Sequence, residues 1–94
     1  MGDGGWFDWD AGNEGHVLDH GVDPMEVEEA LLDPHGAGAD ARNVAGEKRE
    51  ALIGATEFGR ILYVVYTMCG EKVRPITARA ADGTEKRRYR RGRR

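Results

Sequence analysis

Residues 59–80 read GRILYVVYTMCGEKVRPITARA, and this stretch decides the fold. Two runs rich in β-branched and aromatic residues flank a short break that contains Gly70, a pattern that predicts a β-hairpin. The preceding run REALIGAT, residues 49–56, predicts a further strand joined through the polar turn EFG, so three consecutive antiparallel strands form a meander. Alternation in the last strand places Arg74, Ile76 and Ala78 on one face. Pro75 has no N–H to donate and predicts an edge strand or a bulge.

Helices are predicted before and after this meander in the sequence, and because both faces of the strand at residues 61–66 are apolar, helices should cover at least one face of it. Residues 10–21, 23–33 and 82–91 each begin at an Asp that has Asn or Glu three residues later, the spacing of a capping box. The aromatic stretch WFDW, residues 6–9, either covers one side of the sheet or adds a short N-terminal strand. The sequence therefore predicts an α+β fold: a small antiparallel sheet with two N-terminal helices and a short basic C-terminal helix.

The 94 residues predict a single domain with a thin core. Within it, residues 1–5 are expected to be flexible, residues 35–47 to form a loop, and residues 92–94 to form a basic tail. The single Cys69 cannot form an internal disulfide, which fits a reducing cytoplasm. No apolar run approaches the roughly 20 residues of a membrane span, and the acidic start lacks a signal peptide's basic residues. We expect a cytoplasmic protein without a membrane partner.

Charge is unevenly distributed along the chain. The net charge is −3, yet no Lys or Arg precedes Arg42, and seven of the last nine residues are Lys or Arg. A basic end of this kind favours an RNA partner, because neutralising phosphates releases counterions and gives affinity that does not depend on sequence. The alternative is an Arg-rich tail that is merely solvated.

The sequence lacks the short motifs that mark several large classes of functional site. The chain contains no GxGxxG, Walker, CxxC or HExxH sequence. His16 and His20 have the i, i+4 spacing of zinc-binding pairs, but no third ligand is marked, and histidines that cap, pack or hydrogen-bond locally are the alternative. We predict no metal and no cofactor.

Two long stretches carry short motifs in a fixed order. Residues 7–34, FDWDAGNEGHVLDHGVDPMEVEEALLDP, contain WD, Asn, HGV, an acidic amphipathic helix and DP. Residues 49–89, REALIGATEFGRILYVVYTMCGEKVRPITARAADGTEKRRY, contain IG, GR, VVYT, a Gly turn, RPITAR and EKRRY. Together they resemble the BrnT-type toxins of bacterial type II toxin–antitoxin modules. The departures from the family pattern are Asp19, Cys69, Pro75 and Lys86.

The resemblance implies a compact RelE-like fold, a ribonuclease activity that arrests translation, and neutralisation by a cognate BrnA-type antitoxin in a hetero-oligomer. The four departures motivate an alternative. In that alternative the chain is a catalytically inactive, toxin-like protein that binds a partner protein or nucleic acid.

Metal-independent RNA cleavage needs a base for the 2′-hydroxyl proton, cations at the phosphate and an acid for the leaving oxygen. We place Arg79 first at the phosphate, and Arg60 and Arg74 beside it. His20 or Glu85 is the candidate base, and Tyr89 the residue that orients the base or the phosphate. RNA-binding residues are predicted along the hairpin and the last helix: Arg74, Lys72, Lys86, Arg87, Arg88 and Arg90.

Structural roles remain open for the same side chains. Arg60 can solvate a strand end, Arg74 can pair with an acidic residue of the first helices, and Glu85 can serve only as a helix cap. His20 precedes a glycine at the end of its helix, a position that also suits a purely structural histidine.

Overall fold

The computed structural model describes residues 5–40 and 42–92. The elements are α1 (Ala11–Asp19), α2 (Pro24–Leu31), β1 (Ala37–Gly38), β2 (Arg42–Val44), β3 (Glu47–Ala55), β4 (Ile61–Cys69), β5 (Lys72–Ala80) and α3 (Gly83–Gly92). The predicted α+β class is confirmed. Apart from Gly5 and Gly92, the expected flexible start at residues 1–5 and the basic tail at residues 92–94 lie outside the described residues.

The described chain contains one antiparallel sheet of five strands. Its order is β1-β3-β4-β5, and β2 also pairs with β3. The register runs from Ala55 opposite Ile61 in the β3–β4 pair to Cys69 opposite Lys72 in the β4–β5 pair. The predicted three-stranded meander therefore corresponds to β3, β4 and β5, with β4 as its central strand.

Our expectation that residues 35–47 form a loop is wrong. The segment contains β1 and β2, and β3 already begins at Glu47. Ala45 and Gly46 have φ values of 52° and 81°, the left-handed pair that a two-residue hairpin turn requires. The two strands are two and three residues long and consist mostly of small or polar residues. Neither strand has the alternating hydrophobic pattern that predicts a strand from sequence. Their strand conformation depends on pairing with the longer β3.

The two faces of the sheet carry different helices. On the first face, the side chains of Leu62, Val64 and Ala78 are fully buried against α1 and α2. On the second face, Ile53 packs with Tyr89 of α3, beside the half-buried Ile61 and Tyr63. The prediction that helices cover the central strand is confirmed, and the sheet separates two small cores.

The predicted capping residues set the helix boundaries. Asp10 and Asn13 form the capping box of α1, and Asp23 and Glu26 form that of α2. Gly21, with φ 78°, follows the end of α1 in the left-handed conformation that favours glycine. These caps explain why the first two helices could be placed from the sequence.

Pro75 lies in an edge strand and next to a bulge, as its sequence context predicts. Val65 is opposite Thr77 but Tyr66 is opposite Pro75, so Ile76 is an extra residue in β5. The bulge breaks the alternation that we predicted for Arg74, Ile76 and Ala78. Ala78 is buried beneath α1, whereas Arg74 lies opposite Thr67. The expected N-terminal strand is reduced to one parallel bridge, between Phe7 and Val73.

Candidate functional site

Arg79 and Glu85 form a bidentate ion pair at the junction of β5 and α3. Arg79 Nη1 donates to Glu85 Oε1 and Nη2 donates to Oε2, both at 2.8 Å. Glu85 Oε1 also accepts from the backbone N–H of Asp82 at 2.9 Å, and Asp82 caps α3 by accepting from Glu85 N. The start of α3 therefore fixes the carboxylate, and the carboxylate fixes the guanidinium.

The pair is electrostatically matched and partly exposed to solvent. The side chain of Arg79 is 45% exposed and that of Glu85 is 16% exposed. The hydrogen bonds from Arg79 hold the pKa of Glu85 below its ordinary value, against the opposing effect of partial burial. The same hydrogen bonds, to Glu85, raise the pKa of Arg79. At neutral pH both groups are charged.

One edge of the Arg79 guanidinium remains available for an anion. Nη1 also donates to the carbonyl oxygen of Ala80 at 3.2 Å. The Nε–H and the second N–H of Nη2 make no hydrogen bond to any described residue. A guanidinium has five N–H donors, so these two can bind a phosphate while Glu85 stays in place.

Tyr63 is a component of this site that no sequence motif identified. The guanidinium carbon of Arg79 lies 4.4 Å from the centre of the Tyr63 ring, within the range of a cation–π contact. Tyr63 and Arg79 are cross-strand partners because Ile76 adds one residue to β5. With unbroken pairing from the turn, Tyr63 would have faced Ala78. Only the position of the bulge, which Pro75 signals weakly, could have revealed this contact.

Tyr89 is one turn beyond Glu85 but in a different environment. It is only 3% exposed, and its hydroxyl donates to Asp33 Oδ2 at 2.5 Å. Asp33 also accepts from the backbone N–H groups of Ala55 and His35. The structure thus gives Tyr89 a packing role, in which it holds α3 against the end of α2 and the end of β3.

His20 and Arg60 lie together near the connection between α1 and α2. Arg60 Nη1 donates to the carbonyl oxygen of Gly21 and to Glu26 Oε1, both at 3.0 Å. His20 caps α1, and its ring packs against the His16 ring with centroids 4.9 Å apart. Because α1 and α2 cover the first face of the sheet, the structure does not bring His20 to Arg79 and Glu85 on the second face.

Arg74 is occupied by acidic residues near the start of α1. Its guanidinium contacts Asp10 Oδ2 at 2.7 Å and Asp8 Oδ2 at 3.3 Å. The hydrogen bond to Asp10 raises the pKa of Arg74. Arg74 therefore ties the N-terminal segment to β5, the structural alternative that the sequence left open, and it is roughly 16 Å from Arg79 along the strand.

The remaining predicted RNA-binding residues are solvent-exposed. Lys72 begins β5 beside the β4–β5 turn. The others lie along α3, where only Tyr89 is buried: Lys86, Arg87, Arg88 and Arg90. Within residues 5–40 and 42–92, no group of three His, Cys, Asp or Glu side chains is placed to hold a metal ion. No helix in the same ranges is long and apolar enough to cross a membrane.

Residues 9–85 match the family described as the ribonuclease toxin BrnT of type II toxin–antitoxin systems. The chain belongs to the BrnT toxin family. Among curated proteins, no significant match to the chain is found. The matched range of this BrnT-family chain includes Tyr63, Arg79 and Glu85 and ends before the basic residues of α3.

Proposed function

We propose that this BrnT-family chain is an endoribonuclease whose reaction centre is Arg79 and Glu85. The observation that carries the proposal is the bidentate pair itself, because it presents an oriented and partly exposed guanidinium with two free donors. Preorganised donors of this kind stabilise charge that develops on a phosphate in the transition state. The ribonuclease description of the family supports the activity.

In the proposed reaction, Arg79 holds the scissile phosphate through its Nε–H and its second Nη2–H. Glu85 takes the proton of the 2′-hydroxyl, the 2′-oxygen attacks phosphorus to form a 2′,3′-cyclic phosphate, and the 5′-oxygen of the next nucleotide leaves and takes a proton from solvent water. Glu85 is the base that we favour over His20, because Glu85 contacts Arg79 directly, whereas His20 caps α1, a helix that packs on the first face of the sheet. Glu85 is ionised at neutral pH, the form that can accept a proton, and its lowered pKa makes it a weaker base than a free carboxylate.

The other predicted residues take supporting roles in this proposal. Tyr89 positions α3, which carries Glu85, and the exposed cations of α3 follow the RNA backbone. Arg60 and Arg74 maintain the fold through their ion pairs with Glu26 and Asp10. No step of the proposed chemistry requires a metal ion.

The biological role that we propose follows from the family. Cleavage of RNA would arrest translation in the cytoplasm, and a cognate BrnA-type antitoxin would neutralise the chain in a hetero-oligomer. The family's membership of type II toxin–antitoxin systems supports a protein antitoxin.

The proposal is tested with purified protein, a defined single-stranded RNA and a metal chelator. Wild-type protein should cleave the RNA in the presence of the chelator. Arg79→Ala should lower the cleavage rate by about 10²–10³, the effect of removing one preorganised donor from a transition state. Because nearly half of the Arg79 side chain, 45%, is exposed, the circular dichroism spectrum should not change.

Arg88→Ala is the matched control, since it removes an exposed cation from α3 outside the reaction centre. It should leave the rate at saturating RNA close to that of the wild type. Intact RNA with folded wild-type protein would instead support the inactive, partner-binding alternative. Equal rates for Arg79→Ala and wild type would exclude Arg79 from the reaction.

A further inference from the structure

A cavity of about 320 Å³ lies on the second face of the sheet, beside the reaction centre. Its floor includes Ala51, Val65 and Thr77, which are cross-strand partners in one row across β3, β4 and β5. Asp40 and Arg49 are among its other lining residues. The cavity is therefore built on the rigid part of the sheet, with charged groups beside an apolar floor.

The cavity adjoins Arg79 through a shared residue. Tyr63 lines the cavity, and the guanidinium of Arg79 lies over the Tyr63 ring. Thr77, in the floor, is two residues from Arg79 on the same strand, about 7 Å along an extended chain. A single nucleotide can span that separation, with its phosphate at Arg79 and its base at Thr77.

The lining has the composition of a nucleobase site. Ala51 and Val65 offer apolar contact to a flat ring, and Tyr63 adds an aromatic side chain. Unstacked bases in RNA are recognised by such surfaces together with a few hydrogen-bonding groups at the base edge. The Thr77 hydroxyl can donate or accept, the Arg49 guanidinium can donate, and the Asp40 carboxylate accepts.

We propose that this cavity binds the nucleobase next to the phosphate held by Arg79, and that Asp40 favours a base with an exocyclic amino group. Asp40 is exposed and makes no hydrogen bond or ion pair to any described side chain. A carboxylate accepts from the amino group at C4 of cytosine, whereas uracil carries at C4 a carbonyl oxygen, an acceptor that the carboxylate repels. The proposal rests on the ribonuclease function, because it defines the substrate of the same site.

The test measures binding separately from cleavage. Adenosine, cytidine, guanosine and uridine 3′-monophosphates share one phosphate and differ only in the base. Each is titrated into the full-length chain and followed by backbone amide NMR shifts. The three nucleotides with an amino group should bind at least about fivefold more tightly than the uridine nucleotide, the lower end for one good base contact. The shifts should centre on Ala51, Val65 and Thr77.

Two variants identify the residue that discriminates. Asp40→Asn should bring the cytidine and uridine nucleotides within about twofold of each other, because the amide has lost the charge of the acceptor. Asp19→Asn, an exposed carboxylate of α1, is the control and should leave the preference unchanged. Equal affinity for the four nucleotides and inorganic phosphate, or no binding, would overturn the proposal.

The outcome is distinguishable from failure of the ribonuclease function. A chain that shows the base preference but leaves RNA intact has the nucleobase site without the proposed catalysis. A chain that cleaves RNA but binds all four nucleotides equally has the proposed catalysis without this site.

Discussion

At the scale of single residues, Asp33 connects more of the molecule than its place at the end of a helix suggests. Its Oδ2 accepts from Tyr89 Oη and, at 2.8 Å, from Ala55 N, and its Oδ1 accepts from His35 N. Partial burial alone would raise the pKa of Asp33, but these hydrogen bonds outweigh it and lower the pKa. The ionised carboxylate thus joins α2, β3 and α3.

Asp33→Asn should destabilise the protein at neutral pH by about 1–2 kcal/mol, because an amide cannot accept all three hydrogen bonds and the site is partly solvated. A carboxyl group with a lowered pKa contributes stability above its unfolded pKa and loses it as pH falls through its folded pKa. The difference between wild type and variant should therefore shrink below about pH 4. Urea unfolding at pH 7 and pH 3 measures it. A difference that is the same at both pH values would contradict the role assigned to Asp33.

At the scale of helices and strands, local signals predicted the elements but not the contacts between them. Capping residues placed α1 and α2, and β-branched runs placed β3 to β5. The alternation of side chains along a strand shows which face of the sheet each residue occupies only where the strand pairing is regular. The extra residue Ile76 shifts the register of β5, so the contact between Tyr63 and Arg79 was not predicted.

The contact between Glu85 and Arg79 could be predicted from the sequence, because the end of the strand and the cap of the next helix are adjacent in the chain. The separation of His20 from Arg79 depends on which face each helix covers, which no local pattern specifies.

Gly54 shows how closely one helix approaches the sheet. A Cβ at this position would overlap the carbonyl group of Ala30 in α2. The family motif IG therefore has a structural reason here, since α2 packs its backbone directly onto β3. Any side chain at residue 54 must move the helix or the strand.

Gly54→Ala should lower the free energy of unfolding by about 3 kcal/mol, the upper end for overpacking, because the obstacle is backbone and cannot rotate away. Thermal unfolding by circular dichroism is the measurement. Gly15→Ala is the control, since a Cβ there meets no atom within 4 Å and alanine favours the helix. It should be neutral or slightly stabilising. Similar melting temperatures for Gly54→Ala and wild type would show that α2 can move away from β3.

At the scale of the whole molecule, folding turns the charge asymmetry of the sequence into two different sides. The acidic helices α1 and α2 cover the first face of the sheet, and the basic helix α3 lies on the second face with Arg79. A polyanion should therefore approach from the side that carries α3, since the opposite side repels it. The exposed cations of α3 begin immediately after Glu85, so an RNA strand that follows them is led to the reaction centre.

Salt dependence tests this arrangement without requiring cleavage. A single-stranded RNA with 2′-O-methyl groups cannot supply the attacking hydroxyl, so its affinity reports binding alone. The slope of the logarithm of the binding constant against the logarithm of the salt concentration should fall by about 1.4 in magnitude for the double variant Arg88→Ala/Arg90→Ala, because each phosphate contact with single-stranded nucleic acid contributes about 0.7.

Lys48→Ala is the control, since it removes an exposed cation from β3 and should leave the slope unchanged. A slope that responds equally to Lys48→Ala would mean that RNA contacts the molecule without regard to side. A slope that responds only to α3 would mean that this helix, and the carboxylate at its start, orient the strand toward Arg79.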